Sequence, residues 1–126
     1  MGPEQLVVCQ LPRDALVPGW ALGDEFSSVT RTSEELSIVC NESDIPAGIG
    51  KDIRIETGWI ALQLEGPFPF SMTGVLASFL DPLAAAHVPL FAVSTFHTDY
   101  ILIKRDHLDA ALRALGDAGH RLSSAS

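Results

Sequence analysis

An alternation of strand-like and helix-like apolar segments in the second half of the chain constrains the fold more than any other feature. Residues 59–65 alternate between apolar and smaller or polar side chains, which is typical of a half-buried strand. Residues 72–83 then place apolar side chains along one stripe at helical spacing, after Ser71 as a plausible N-cap. Pro82 predicts a kink or an early end of this helix near residues 78–81.

The start of this helix is a candidate anion-binding turn. Gly74 falls in the first helical turn, where it lowers helix propensity but leaves nearby backbone N–H groups uncovered. The alternative is an ordinary capped helix start with a glycine for close packing.

A predicted β-hairpin and a second helix follow. Two apolar runs, residues 90–94 and 99–104, are joined by a few residues that suit a hairpin turn. Asp106 can cap a helix whose buried face lies within residues 108–115. The order β-α-β-β-α, with a short strand at 120–122, predicts the βαββαβ order of ferredoxin-like folds.

The first half of the chain repeats this hairpin. An offset of 64 positions places residues 29–39 on residues 93–103, beginning with Val29 on Val93. Matching positions across one strand-turn-strand unit indicate an internal duplication.

The first copy is shorter than the second. A strand at residues 6–11 precedes a glycine- and proline-punctuated segment, 12–26, which predicts a short helix or a packed loop. Residues 41–58 are interpreted as a degenerate second helix and the connection between copies. The predicted fold class is α+β, with two tandem ferredoxin-like (βαββαβ) units, 1–58 and 59–126, that share one mainly antiparallel sheet with helices on one face.

Composition and charge restrict the partners. The chain has 126 residues and a net charge of −8 with a pI near 4.7, which argues against nucleic acid because that binding depends on cationic contacts to phosphate. No apolar run reaches the roughly 18 to 20 residues that span a bilayer, so no membrane association is expected. The first residues lack the pattern of a signal peptide, and a cytoplasmic location is the expectation.

Motifs for catalysis or metal binding are not found in the sequence. Cys9 and Cys40 lie in apolar strand-like runs and are expected to be reduced core residues. The histidines do not occur at zinc-ligand spacing, and no nucleophile elbow or phosphate loop occurs. We therefore expect no metal, no cofactor and no enzymatic activity, with a small enzyme acting on an amino acid as a weaker alternative.

Three motifs carry a family resemblance. They are Glu65-Gly-Pro-x-x-Phe-Ser-x-Thr-Gly-Val-Leu, Ser94-Thr-x-x-Thr-Asp-Tyr-Ile-Leu-Ile and Ser28-Val-Thr-Arg-Thr-x-x-Glu-Leu-Ser-Ile-Val. In order and spacing from about residue 6 to residue 122, the chain resembles the bacterial tandem ACT-domain proteins, which are similar to the ACT repeats of the eukaryotic cytosolic arginine sensor. The resemblance implies two ACT units side by side, with an amino-acid pocket at their junction.

Carried over position by position, the resemblance implies three pocket walls. The first wall is a helix-start turn, formed by Ser71, Met72, Thr73, Gly74 and Val75. The second is a strand end with its turn, formed by Thr95, Phe96 and Asp99. The third is a strand of the first copy, formed by Ser28, Val29 and Thr30. Asp99 could accept the α-ammonium group or a distal cation of the ligand, and Phe96 could cover an aliphatic or planar side chain. The structural alternatives are a solvated turn residue for Asp99, core packing for Phe96 and strand propensity for Thr95.

The leading hypothesis is a non-catalytic sensor or regulatory protein that binds a free amino acid between its ACT units. Arginine is a guess that follows from the resemblance. The alternative is a ligand-free dimerisation or protein-interaction module in which Phe68, Phe70 and Phe96 would be packing or interface residues. A homodimer is left open.

Overall fold

The protein divides into two compact units, Met1–Trp59 and Ile60–Ala125, in a computed structural model. The structure describes residues 5–23, 26–50, 52–64, 75–119 and 122–124. It is a mixed α/β fold, and the five strand pairs whose register is described are antiparallel. The predicted fold class is confirmed at this level.

Unit 1 is built on strands that pair in the order β2-β3-β1-β4. In chain order they are β1 (Leu6–Leu11), β2 (Ser28–Arg31), β3 (Leu36–Asn41) and the first half of β4 (Arg54–Leu64). Because the side chains of a strand alternate between faces, the pairs Cys9–Ile38 and Leu11–Leu36 place four apolar side chains on one face. These residues form the core of the unit with Val7, Ala21 and Cys40.

In the described residues of the first copy, short 3₁₀ helices stand where helices were predicted. One covers Gly19–Ala21, where a short helix or packed loop was predicted, and its Ala21 is fully buried. The other covers Glu42–Asp44 and starts at Asn41, whose Oδ1 accepts hydrogen bonds from the N–H and Oγ of Ser43 at 2.9 and 2.8 Å. The degenerate second helix is therefore a single turn.

Strand β4 begins at Arg54, five residues before the predicted start at Trp59. Val8 pairs with Glu56 whereas Leu6 pairs with Trp59, so β4 carries one extra residue between these pairs. Gly58 lies in this bulge with φ +80°, a conformation that favours glycine. The glycine that the sequence pattern placed in a connection is instead the bulge of a continuous strand.

Unit 2 contains the second half of β4, followed along the sheet by β6 and β5, with β7 also paired to β4. Its elements are α1 (Val75–Ala85), β5 (Leu90–Ser94), β6 (Asp99–Lys104), a 3₁₀ turn at Arg105–His107, α2 (Leu108–Asp117) and β7 (Leu122–Ser124). Both helices contribute to one core, in which Phe79 and Leu83 of α1 meet Ala111 and Leu115 of α2 with residues of β4 and β6. No helix among the described segments is long and apolar enough to cross a membrane.

The predicted early end of α1 is wrong. Pro82 lies inside the helix, which continues to Ala85. Proline removes one backbone donor, but the carbonyl of Pro82 still accepts a hydrogen bond from the N–H of Ala86 at 3.1 Å. The next residue, Leu83, is fully buried, and this burial favours continuation of the helix through the proline.

The two hairpins correspond at an offset of 63 positions, one fewer than the sequence comparison gave. The pair Arg31–Leu36 closes the first hairpin and the pair Ser94–Asp99 closes the second. Each second strand is followed at once by a 3₁₀ turn. Because β3 and β6 each have a buried run on both faces, their apolar residues match almost equally well at neighbouring offsets, and only the closing pairs fix the register.

Helix α1 ends in a Schellman motif that contains a histidine where glycine is usual. The N–H of Val88 donates to the carbonyl of Leu83, and the N–H of His87 donates to that of Ala84, both at 3.0 Å. His87 adopts φ +59°, the only positive value for a non-glycine residue among the described residues. Leu83 and Val88 are both buried, which adds the apolar contact that accompanies this motif.

We predict that His87→Gly raises the free energy of unfolding by about 1 kcal/mol, because glycine adopts the left-handed conformation without the Cβ clash. Urea denaturation followed by far-UV circular dichroism measures the change. Ala86→Gly is the matched control, and it should lower stability because Ala86 has no positive φ to relieve. A His87→Gly protein no more stable than the parent would contradict this account.

Candidate ligand-binding site

The turn between β5 and β6 is held closed by a threonine. The N–H and the Oγ1 hydroxyl of Thr95 both donate to the carbonyl of Thr98, at 2.8 and 3.0 Å. The N–H of Thr98 donates back to Thr95 Oγ1 at 3.3 Å. With the pair Ser94–Asp99 beneath it, the turn is a four-residue loop with fixed ends.

Two aromatic rings lie at the tip of this turn. Phe96 is 77% exposed, so the alternative that it is a core residue is wrong. Its ring meets that of His97 edge to face, with centroids 5.7 Å apart and an angle of 89° between the planes. Asp99 follows as the half-buried first residue of β6. The turn therefore presents an aromatic face and a carboxylate within four residues.

The predicted first-copy wall lies on β2, where the three residues do not share a face. Ser28 pairs with Val39 and Thr30 with Ser37, whereas Val29 pairs with Ile38 on the opposite face. Val29 packs against the core of unit 1. Ser28 and Thr30 can therefore offer side chains to one surface, and Val29 can offer only its backbone there.

The predicted helix-start wall is described only from Val75, which is the first residue of α1. Ser71, Met72, Thr73 and Gly74 lie outside the described residues. The structure thus brings Thr95, Phe96 and Asp99 together in one turn of unit 2 and places Ser28 and Thr30 on one strand face of unit 1.

Arg31, for which the sequence predicted no role, holds a loop against the first hairpin. The Arg31 guanidinium donates to the carbonyls of Arg13 and Ala15, the latter at 2.7 Å. Arg13 in turn donates to the carbonyl of Ser33 at 3.2 Å. Since these acceptors are backbone groups more than fifteen residues away, no side-chain pattern in the sequence indicates them.

The two cysteines are free thiols in the core of unit 1, as predicted. Cys9 on β1 and Cys40 on β3 are diagonal neighbours on one sheet face, since Cys9 pairs with Ile38. A hydrogen bond between the thiols lowers the pKa of Cys9, against the effect of its burial. The same bond, together with burial, raises the pKa of Cys40. In the described part of the chain, no three side chains of His, Cys, Asp or Glu are grouped as metal ligands.

A cleft of about 310 Å³ opens at one end of the unit 1 strands. Its walls come from the end of β1, the β2–β3 turn and the start of β4: Gln10, Leu11, Pro12, Glu34, Asp52 and Arg54. None of these residues belongs to the predicted pocket walls. The family motifs therefore gave no indication of it.

Comparison with known protein families identifies the fold. The ACT domain family model matches residues 54–117, which run from the start of β4 to the end of α2. A second model, for an N-terminal domain, matches residues 4–48. The chain belongs to the ACT domain family, and the resemblance seen in the sequence is confirmed.

Individual relatives fall into bacterial and animal groups. An Agrobacterium tumefaciens protein solved by X-ray crystallography is 36% identical, with a TM-score of 0.83 over 92% of this chain and 84% of that one. Human CASTOR3P is 33% identical over 65% of this chain, and the bovine cytosolic arginine sensor for mTORC1 subunit 1 is 26% identical over 72%. The matched regions span 56% and 30% of these two relatives.

A more distant neighbour shares the fold alone. The regulatory subunit of aspartate kinase from Thermus thermophilus, in its ligand-free form, has a TM-score of 0.64 at 13% identity. The match covers 92% of this chain and 93% of that subunit.

We predict that Thr95→Val lowers the free energy of unfolding by about 1 kcal/mol, because the hydroxyl makes two of the three hydrogen bonds that close the turn. Thr95→Ser keeps the hydroxyl and is the matched control, which should stay within about 0.5 kcal/mol of the parent. Chemical denaturation measures both. Equal losses in the two variants would contradict this account, because only Thr95→Val removes the hydroxyl.

Proposed function

We propose that this protein is a non-catalytic regulatory or sensor protein that binds a free amino acid. Membership of the ACT family supports this, together with a relative named as an arginine sensor. A cytoplasmic location is part of the proposal, in line with the word cytosolic in the name of the bovine relative.

The observation that carries the proposal is the hydrogen-bonded β5–β6 turn with its exposed phenylalanine. The Phe96 ring is 77% exposed at the tip of the turn. A ligand that covers it removes apolar surface from water, and this contributes favourably to the free energy of binding. Asp99 is held at the base of the same turn by its pairing with Ser94. A carboxylate and an aromatic ring carried by the same turn suit a ligand that carries a cation on an aliphatic or planar group.

A more detailed proposal concerns the other walls of the amino-acid pocket. Each unit, residues 1–58 and 59–126, is proposed to be one ACT unit, with the ligand held at their junction as the family resemblance implies. Backbone N–H groups in the helix-start turn, residues 71–75, would receive the ligand carboxylate. Ser28 and Thr30 would offer hydroxyls, and Val29 its backbone.

Arginine is the proposed ligand by resemblance, and the chemistry of the turn is compatible with it. A guanidinium group stacks on aromatic rings and forms paired hydrogen bonds with a carboxylate. Phe96 and Asp99 would supply these two interactions. Amino acids with neutral side chains would lack the paired hydrogen bonds between a guanidinium group and the Asp99 carboxylate.

A thermal-shift screen of the full chain against the twenty amino acids tests the proposal. A ligand at one hundred times its dissociation constant stabilises the folded state by about 2.7 kcal/mol, which raises the melting temperature by several degrees for a chain of this size. We expect one amino acid, or one chemical class, to produce such a shift. We expect Asp99→Asn to remove it.

Asp81→Asn is the matched control, because Asp81 is an exposed carboxylate that belongs to α1 and not to the turn. It should leave the ligand-induced shift unchanged. An unchanged melting temperature across the whole panel at about 10 mM would overturn the proposal. A ligand-induced rise in melting temperature that persists in Asp99→Asn would show that the ligand binds elsewhere than at this turn.

The alternative, a protein-interaction module, is favoured by one observation. Leu16 and Leu22 are 89% and 63% exposed in unit 1, on the loop that Arg31 ties down. Exposed leucines on a tethered loop are typical of a contact surface. Light scattering coupled to size-exclusion chromatography decides between the two, since a tight dimer insensitive to every amino acid supports the alternative.

A further inference from the structure

The two cysteines in the core of unit 1 are placed to react with each other. They are the only cysteines of the chain, and Cys9 is 1% exposed while Cys40 is fully buried. Cys9 pairs with Ile38 and Val7 pairs with Cys40, so the two thiols lie on one sheet face as diagonal neighbours across β1 and β3. Any disulfide within one molecule must therefore join these two residues.

The hydrogen bond between the thiols makes them chemically different. It lowers the pKa of Cys9, whereas it raises the pKa of Cys40 together with burial. Because the thiolate is the reactive form of cysteine, Cys9 is the nucleophile of the pair and Cys40 holds the proton. A lone thiol in an apolar core has no such donor, and burial alone keeps it protonated and inert.

The thiols are covered by connecting segments. In the described part of unit 1, the core that contains them is closed by side chains such as Trp20, Ala21 and Ile53, which lie outside any α-helix. The hydrogen bonds with which Arg31 holds the loop are exposed to solvent, and Leu16 of the same loop is 89% exposed. Segments with exposed hydrogen bonds and few buried apolar contacts open locally at a low cost in free energy. A molecule as small as hydrogen peroxide can reach the thiols through such openings.

We propose that Cys9 and Cys40 form a redox modification site, in which hydrogen peroxide converts the two thiols to a disulfide inside the core of unit 1. The site is independent of the proposed amino-acid binding, because it shares no residue with the β5–β6 turn. Either one can therefore fail its test without the other.

The oxidation proceeds in two steps. The Cys9 thiolate attacks one oxygen of hydrogen peroxide and the O–O bond breaks, which leaves a sulfenic acid on Cys9. The hydroxide that leaves takes up the proton that Cys9 has lost and becomes water. The Cys40 sulfur then attacks the Cys9 sulfur, the S–O bond breaks, and the departing hydroxide takes the Cys40 proton to form a second water. Two electrons pass from the thiols to the peroxide, so that two thiols and one peroxide give one disulfide and two waters.

The disulfide requires a small movement of β1 against β3. Diagonal neighbours across two strands are about 7 to 8 Å apart, whereas the Cα atoms of a disulfide are separated by at most about 6.8 Å. A disulfide formed under such a constraint is more easily reduced than a relaxed one. We therefore expect the oxidation to be reversible, with backbone amide resonances of β1 and β3 that shift on oxidation and return on reduction.

Exposure of the reduced, folded full chain to millimolar hydrogen peroxide tests the proposal. The chain is then denatured, labelled with N-ethylmaleimide and weighed by intact mass spectrometry. The two maleimide labels should be lost together, and dithiothreitol added before labelling should restore both. Oxidation of the methionines adds oxygen but removes no label, so it does not interfere. Retention of both labels, loss that dithiothreitol does not reverse, or a disulfide-linked dimer on a non-reducing gel would each overturn the proposal.

Single-cysteine variants test whether the pair itself is reactive. In Cys9→Ala and in Cys40→Ala, the remaining thiol should react with peroxide several-fold more slowly than the thiols of the parent, because its thiolate has no neighbouring thiol as a donor. Far-UV circular dichroism checks that each variant is folded, and valine replaces alanine where it is not. Thiol loss in both variants at the rate of the parent would overturn the proposal, since it would show that the pairing confers no reactivity.

Discussion

Closure of each hairpin by a threonine hydroxyl fixes the register from which the rest of the structure follows. Thr32 Oγ1 accepts hydrogen bonds from the N–H groups of Glu34 and Glu35, and Thr95 plays the corresponding part in the second hairpin. A slip of one residue would move every apolar side chain of β3 or β6 to the opposite face. The core of each unit therefore depends on a polar turn.

The turn of unit 2 presents the groups to which we assign ligand binding. In unit 2 the turn places Phe96 in solvent and Asp99 at its base, and in unit 1 the corresponding turn places Glu34 on the wall of the cleft. The duplicated framework thus displays different chemistry at equivalent positions. An aromatic face suits a ligand's hydrocarbon or guanidinium group, whereas a carboxylate wall suits only its cations.

Where unit 2 has α-helices, the described part of unit 1 has 3₁₀ turns and loops that are held in other ways. A single 3₁₀ turn buries Ala21, and the Arg31 guanidinium attaches the surrounding loop to the hairpin through backbone carbonyls. Trp20 and Ile53 pack against the core from the two connecting segments. A loop that covers a sheet face in place of a helix needs such fixed points, because it lacks the internal hydrogen bonds of a helix.

The sequence by itself determined the β-α-β-β-α order of the second unit, the duplication of its hairpin, and the family to which the chain belongs, because apolar periodicity and local motifs are properties of neighbouring residues. Only the tertiary structure shows that the two hairpins correspond at an offset of 63 residues, that α1 continues through Pro82, and that Gly58 lies in a bulge of β4. It also decided that Val29 faces the core while Phe96 faces solvent, and that the cleft gathers charges from three segments. These outcomes depend on which strands pair and what each face meets, and that information is spread over residues far apart in the chain.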